Sequence, residues 1–318
     1  MLALRLDPSP RLDAASPEPV RGSGEALIGL RRAGVCDTDL QLARGYMGFR
    51  GVPGHEFVGE VLEAEDRAWV GQRVVGDINA SCGECADCVE GDGHHCARRS
   101  VLGIVGRDGC FAERFCLPLR NLVAVPEELS DDAAVFAEPL AAGLHVIDEL
   151  EGARHVAVLG DGKLGLLTAM ALATAGVEVT AVGHHEHKLA LARAAGLRGV
   201  LEEQLPEGER YDLVVEATGS AAGLSRALTL VRPRGCVVLK TTVADPQQLD
   251  LAPLVVDEVR LVGSRCGDMA RAVEVLASGV VDPRPLIEAR YDLAEAAAAF
   301  EHAGRRGVLK VLVDAPPS

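Results

Sequence analysis

Aromatic side chains are nearly missing from this chain: Phe, Trp and Tyr together make up 3% of its 318 residues. Its cores must therefore be filled by Ala, Val and Leu. Lysine is equally scarce, with Lys163, Lys188, Lys240 and Lys310 the only four among 32 basic residues. Positive charge is in deficit, since 47 acidic residues leave a formal net charge of −15. A field of that sign repels phosphate backbones and argues against nucleic-acid binding. No stretch approaches the ~18 uninterrupted apolar residues of a bilayer-spanning helix, so no membrane association is expected. The leading segment carries Arg5, Asp7, Pro8 and Pro10, which interrupt any signal-like apolar run, and a cytoplasmic location is the expectation. What remains is ordinary globular material, 48% hydrophobic and 25% charged, and at roughly 150 residues per domain its length predicts two domains.

The nine cysteines are unevenly spread. Cys82, Cys85, Cys88 and Cys96 fall within one short loop, whereas Cys36, Cys110, Cys116, Cys236 and Cys266 are scattered. An odd count without a secretory leader reads as thiols and metal ligands rather than disulfides. Four closely spaced thiolates suit a tetrahedral zinc ion with no open position, which makes that metal structural. A four-cysteine iron–sulfur cluster has compatible spacing. A nucleic-acid-binding ribbon is opposed by Glu84, Asp87, Glu90 and Asp92 in the same loop.

Up to about Pro126 the chain reads as short strands and Gly-rich turns, among them Glu25 to Leu30, Glu56 to Leu62 and Arg73 to Val75. From about Leu140 strands and helices alternate. Strands are expected at 155–159, 177–182, 211–215, 236–239 and 260–262, with helices at 164–175 and 189–195. That alternation implies a right-handed parallel sheet covered on both faces. Beyond Asp268 come two helices, 270–277 and 293–302, and a last strand, 308–313, a tail too short to fold alone. The expected division is 1–139 for the β-rich domain, with a metal lobe at 82–96, then 140–266 for the parallel sheet and 267–318 for a return to the first domain.

A second donor set is dispersed. Cys36 and Thr38 lie in Gly34-Val-Cys-Asp-Thr38, and nineteen residues after the cysteine comes Gly54-His55-Glu56. Together with Glu138, in Phe136-Ala-Glu-Pro-Leu140, they offer thiolate, imidazole and carboxylate, as a zinc site with an open position requires. Glu138 before Pro139 also has a purely structural reading, as an acid at a helix start.

Gly160-Asp-Gly162-Lys163-Leu164-Gly165 follows an apolar strand and opens an apolar helix. The first glycine makes the turn, the second admits a pyrophosphate, and the third lets helix pack on strand. At the end of the next strand, where a carboxylate usually holds the ribose 2′-hydroxyl, stands Gly183. Without that charge a 2′-phosphate has room, with His184, His185 or Lys188 to meet it, so NADP is expected ahead of NAD. In the other reading the histidines form a solvated turn and Glu186 replaces the missing acid.

Taken together, these segments resemble the zinc-containing medium-chain dehydrogenase/reductase superfamily, on its sorbitol- and threonine-dehydrogenase-like branch, from Leu27 through Val313. The resemblance implies an α/β fold, with a GroES-like β-rich catalytic domain and a Rossmann doubly wound parallel sheet. It implies two zinc ions per chain, one structural and one catalytic. Cys36, His55 and Glu56 would surround the catalytic ion, with Glu138 either a ligand or a partner of the bound water. Thr38 would pass a proton on, and Arg265 would face the cofactor cleft. The implied reaction moves a hydride between a small alcohol or polyol, or the matching carbonyl, and NAD(P), in a homo-dimer or homo-tetramer. One departure is Gln41, where the family often ends its proton relay with His; an amide does not titrate near neutrality. The rival reading is a zinc-stabilised nucleotide-binding sensor without turnover.

Overall fold

The fold is described from a computed structural model, covering residues 1–7, 9–241 and 250–316. Two compact units emerge. One gathers Met1–Glu138 with Met269–Gly279 and the chain from Ile287 on; the other holds Pro139–Asp268 and Val280–Leu286.

The first unit is built on a mixed sheet whose longest strand, Glu25–Gly34, pairs antiparallel with Glu56–Glu63, Arg114–Pro118 and Lys310–Asp314. The last of these comes from the far end of the sequence, and it pairs in turn, in parallel, with Ile287–Asp292. The scarce aromatics are concentrated here, for five of the six Phe are buried in this unit. Phe57 and Phe115 meet edge to face at 4.8 Å, and Phe111 meets Phe300 of helix Ala296–Ala303 at 5.1 Å. Such pairs add to the stabilisation from area burial alone.

Among the described residues the second unit holds six strands that all run parallel. Numbered along the chain they are His155–Leu159, Glu178–Gly183, Arg198–Leu201, Tyr211–Glu216, Val231–Leu239 and Arg260–Gly263, and their spatial order is 3-2-1-4-5-6. That is the doubly wound Rossmann order, in which ligands bind outside the carboxyl ends of the strands where the order reverses. The core between sheet and helices is aliphatic, with Ala157, Leu159, Val182, Val214 and Val237 fully buried and Tyr211 the aromatic member. Both halves of the expected α/β architecture are therefore present.

Elements of this unit not expected from the sequence include the strand Arg198–Leu201 and the helices Gly223–Leu230 and Ala252–Val256. The strand is a short edge with a glycine in it, so it carries little pattern. Its Gly199 is needed by packing, since a Cβ there would meet the Leu189 carbonyl oxygen at 2.7 Å. The expected final helix, 293–302, begins as a 3-10 turn over Leu293–Glu295 before Ala296–Ala303.

Candidate functional site

Three donor atoms converge in the first unit: the Cys36 thiol, a His55 ring nitrogen and a Glu56 carboxylate oxygen lie within 4.8 Å of one another. The backbone explains the convergence. Cys36 caps helix Asp37–Ala43, and Asp39 on its first turn accepts the Cys36 amide at 2.9 Å. The other Asp39 oxygen accepts the Gly54 amide at 3.1 Å, which fastens the turn presenting His55. Gly54 has φ +103°, and a Cβ there would strike the Phe111 ring; only glycine suits this turn. One buried carboxylate thus couples two segments distant in sequence.

Asp39 also faces the imidazole. Its Oδ1 is 3.3 Å from His55 Nδ1, but off line for a hydrogen bond. Burial by itself would lower the His55 pKa, yet the negative charges of Asp39 and Cys36 outweigh it and hold the pKa well above its usual value. Thr38 shares the helix, its hydroxyl 3.8 Å from the Cys36 sulfur.

Glu56 is 1% exposed and paired with the equally buried amine of Lys310, which lies 5.4 Å above the Phe136 ring. The pairing needs Gly34, because a Cβ at that position would meet Glu56 Oε2 at 2.3 Å. Glu138, in the first turn of helix Ala137–Leu144, does not belong to the compact donor set. Burial, and then the nearby charge of Glu56, push its carboxyl up to about 7, against the opposing pull of His55 and Lys310. Four acidic groups, Cys36, Asp39, Glu56 and Glu138, thus share their surroundings with one amine and one imidazole. A divalent cation is the natural counter-charge for such a set.

The lobe is more regular. Sulfur–sulfur separations are 3.8 Å for Cys82–Cys88, 3.4 Å for Cys85–Cys88, 3.7 Å for Cys85–Cys96 and 3.6 Å for Cys82–Cys96. A tetrahedron with metal–sulfur bonds of 2.3 Å has edges of about 3.8 Å. These spacings fit a single four-coordinate ion, whereas four irons in one cluster would spread the sulfurs further apart. The backbone amides of Glu84 and Cys85 bring the Cys82 thiol down to about 6, which favours the ligating thiolate.

In the second unit each glycine of the turn has its own geometric reason. Gly160 has φ +121° and faces the Ala217 carbonyl oxygen, which a Cβ would approach to 2.5 Å. Gly162 opens on empty space at the start of helix Lys163–Ala173, and Gly165 packs onto the Gly160 carbonyl oxygen. Lys163 is buried and Leu164 half-buried on the helix's first turn.

The expected phosphate subsite is a different matter. Gly183 does not leave an open space, for the Asp161 side chain occupies it. His184 lies 3.3 Å from Glu202, His185 is held by Asp161, Lys188 is buried, and the alternative acid Glu186 pairs with Arg193. Arg265 is exposed after strand Arg260–Gly263, its carbonyl accepting Lys240 Nζ at 2.9 Å.

Three residues of these sites were not singled out from sequence. Asp39 follows Cys36 at the three-residue spacing of a helix capping box. Lys310 opens a strand whose next three residues, Val311 to Val313, are apolar and buried. Asp161 is the acid between two glycines.

A Rossmann sheet in one chain with a four-thiolate lobe and a Cys/His/carboxylate cluster defines the class of metal-type, dinucleotide-type dehydrogenases. The comparisons with known proteins agree. Residues 22–127 match the family model of the alcohol dehydrogenase GroES-like domain, and residues 164–278 match that of the zinc-binding dehydrogenases. L-threonine 3-dehydrogenase of Streptomyces coelicolor is 33% identical over 94% of both chains, and sorbitol dehydrogenase of Halalkalibacterium halodurans 29% over 93% of this chain and 94% of its own. Among solved structures, an alcohol dehydrogenase from Escherichia coli CFT073 complexed with NADH superimposes with TM-score 0.90 at 26% identity, covering 99% of both chains. A zinc-binding dehydrogenase from Sinorhizobium meliloti bound to NADP gives TM-score 0.86 at 30% identity, covering 98% of both. The chain belongs to the zinc-binding alcohol dehydrogenase family, as its sequence motifs led one to expect. Among the described residues no helix is long and apolar enough to cross a membrane.

Proposed function

We propose that the chain is a zinc-dependent oxidoreductase that moves a hydride between a small alcohol or polyol, or the matching carbonyl, and NAD(P). The observation that carries this reading is the convergence of Cys36, His55 and Glu56 in a chain with the glycine turn of a Rossmann sheet. The relatives named for threonine and sorbitol oxidation point to the substrate class. Cys36 and His55 would hold the catalytic ion, with Glu56 and Glu138 as the carboxylates at hand. Bound zinc supplies Lewis acidity, lowering a hydroxyl's pKa toward neutrality or polarising a carbonyl. The nicotinamide supplies the hydride acceptor or donor. The test is a spectrophotometric scan of alcohols and polyols, L-threonine and sorbitol included, with NAD and NADP; no turnover with fully metallated protein would leave the sensor reading standing.

The chain's own part in the reaction is positioning and proton movement. Asp39 fastens the turn that presents His55, and the Thr38 hydroxyl takes the proton that the substrate hydroxyl loses. Gln41, one turn along the same helix, cannot ionise, so the proton passes from Thr38 to solvent. Removing a positioned proton carrier typically costs about 10²–10⁴-fold. Thr38→Val is expected to lose activity in that range with its metal content intact, and a pH–rate profile beside Gln41→His checks it. Unchanged turnover in Thr38→Val would make bulk water the acceptor.

The lobe has a separate, structural role. Cys88→Ser is expected to leave one metal ion per chain instead of two and to lower the melting temperature, as elemental analysis and calorimetry would read, because structural zinc contributes folding free energy. Nine cysteines without a disulfide among them suit a reducing, cytoplasmic setting.

A further inference from the structure

The second strand of the Rossmann sheet ends where a carboxylate commonly receives the adenosine ribose, and this chain has Gly183 there. A Cβ built on Gly183 would lie 2.4 Å from both Cβ and Oδ2 of Asp161. The carboxylate that the strand lacks is thus delivered to the same place from the glycine turn, one residue after Gly160. It is firmly held: Oδ2 accepts the His184 and His185 amides at 2.7 Å each, and His185 Nδ1 lies 3.0 Å from Oδ2 and 3.1 Å from Oδ1. A carboxylate has about four acceptor positions, so these three donors leave room for one hydroxyl.

We propose that Asp161 determines the cofactor specificity of this chain, accepting the ribose 2′-hydroxyl and repelling a 2′-phosphate, so that NAD(H) is selected over NADP(H). The proposal rests on the NAD(P) oxidoreductase reading and replaces the NADP preference expected from Gly183. Of the three cations expected to meet a 2′-phosphate, His184 faces Glu202, His185 faces Asp161 itself, and Lys188 is 4% exposed. A phosphate brought to Gly183 would meet the Asp161 carboxylate first. Burial would raise the Asp161 pKa, but the two amides and the His185 ring outweigh it and keep the carboxyl below its usual value, so the repelling charge persists at neutral pH. Glu186, the other acid of the turn, is exposed and paired with Arg193.

Binding separates this from catalysis. Calorimetric titration of the full chain with ADP-ribose and with 2′-phospho-ADP-ribose measures the subsite without hydride transfer. The unaltered protein is expected to bind ADP-ribose at least about tenfold more tightly. Hydrogen bonds to charged groups contribute enough that Asp161→Asn should shrink this preference by roughly 10–100-fold. The double variant Asp161→Ala, Gly183→Asp moves the carboxylate to the strand end and should restore it. Gly183→Asp alone crowds two carboxylates into one space and should weaken both ligands. Tighter binding of the 2′-phosphorylated ligand to the unaltered protein, or equal binding of the two, overturns the proposal alone. So does an unchanged ratio in a folded Asp161→Asn. If that variant fails to fold, the double variant decides: restored preference supports the assignment, and lost preference overturns it. If neither ligand binds the unaltered protein, the dinucleotide reading falls and this proposal with it.

Discussion

Cys36→Ser is expected to remove the catalytic metal while leaving the lobe metal and the fold in place. The helix that Cys36 begins should survive, because Ser is itself a favoured N-cap and the Asp39–Cys36 contact uses the backbone amide. What is lost is the soft donor that, with His55 and Glu56, makes up the 4.8 Å cluster. A metal acting as Lewis acid contributes several kcal/mol to the transition state, and each 1.36 kcal/mol is a factor of ten. The expected loss in kcat/KM is therefore about 10³-fold or more, with one metal ion per chain remaining. Elemental analysis, circular dichroism and steady-state kinetics on the same preparation read all three quantities. Full metal content with full activity would remove Cys36 from the site, and one metal or none in the unaltered protein would sink the two-ion reading.

Opposite behaviour of Cys36→Ser and Cys88→Ser is implied by how their donors are tied into the chain. The lobe thiols sit in one loop whose shape a bound ion would help to define, while Asp39 ties the Cys36 and Gly54 amides together whatever lies between the donors. This difference also explains which parts could be read from sequence. Local chemistry was legible: the cysteine spacing of the lobe, the glycine turn and the parallel-sheet alternation each depend on residues close together in the chain. Long-range substitution was not. Gly183 reads as an absent charge in a linear scan, and only the folded turn shows another segment's carboxylate in its place. Likewise Glu56 reads as a ligand candidate after His55, whereas its partner Lys310 lies 254 positions away. The strand Arg198–Leu201 was missed for a third reason: at a short edge, neither face is apolar enough to leave a period.

Lys310→Met is expected to be among the most destabilising single changes in the first unit. The side chain runs through an apolar strand, 2% exposed, to a carboxylate that is 1% exposed, so neither charge is hydrated. Deleting one partner of a buried pair leaves the other uncompensated and typically costs about 3–5 kcal/mol. Replacing both with neutral groups of similar size is often tolerated, so Lys310→Met with Glu56→Gln should recover most of the loss. Metal content adds a second axis to the measurement. A divalent ion beside Cys36, His55 and Glu56 would partly replace the lost positive charge, so chelation should deepen the defect of Lys310→Met far more than that of the double variant. Calorimetric unfolding of the four proteins, with and without chelator, separates the two contributions. A loss below about 1 kcal/mol in Lys310→Met even under chelation would make the amine a packing element rather than the counter-charge of the site.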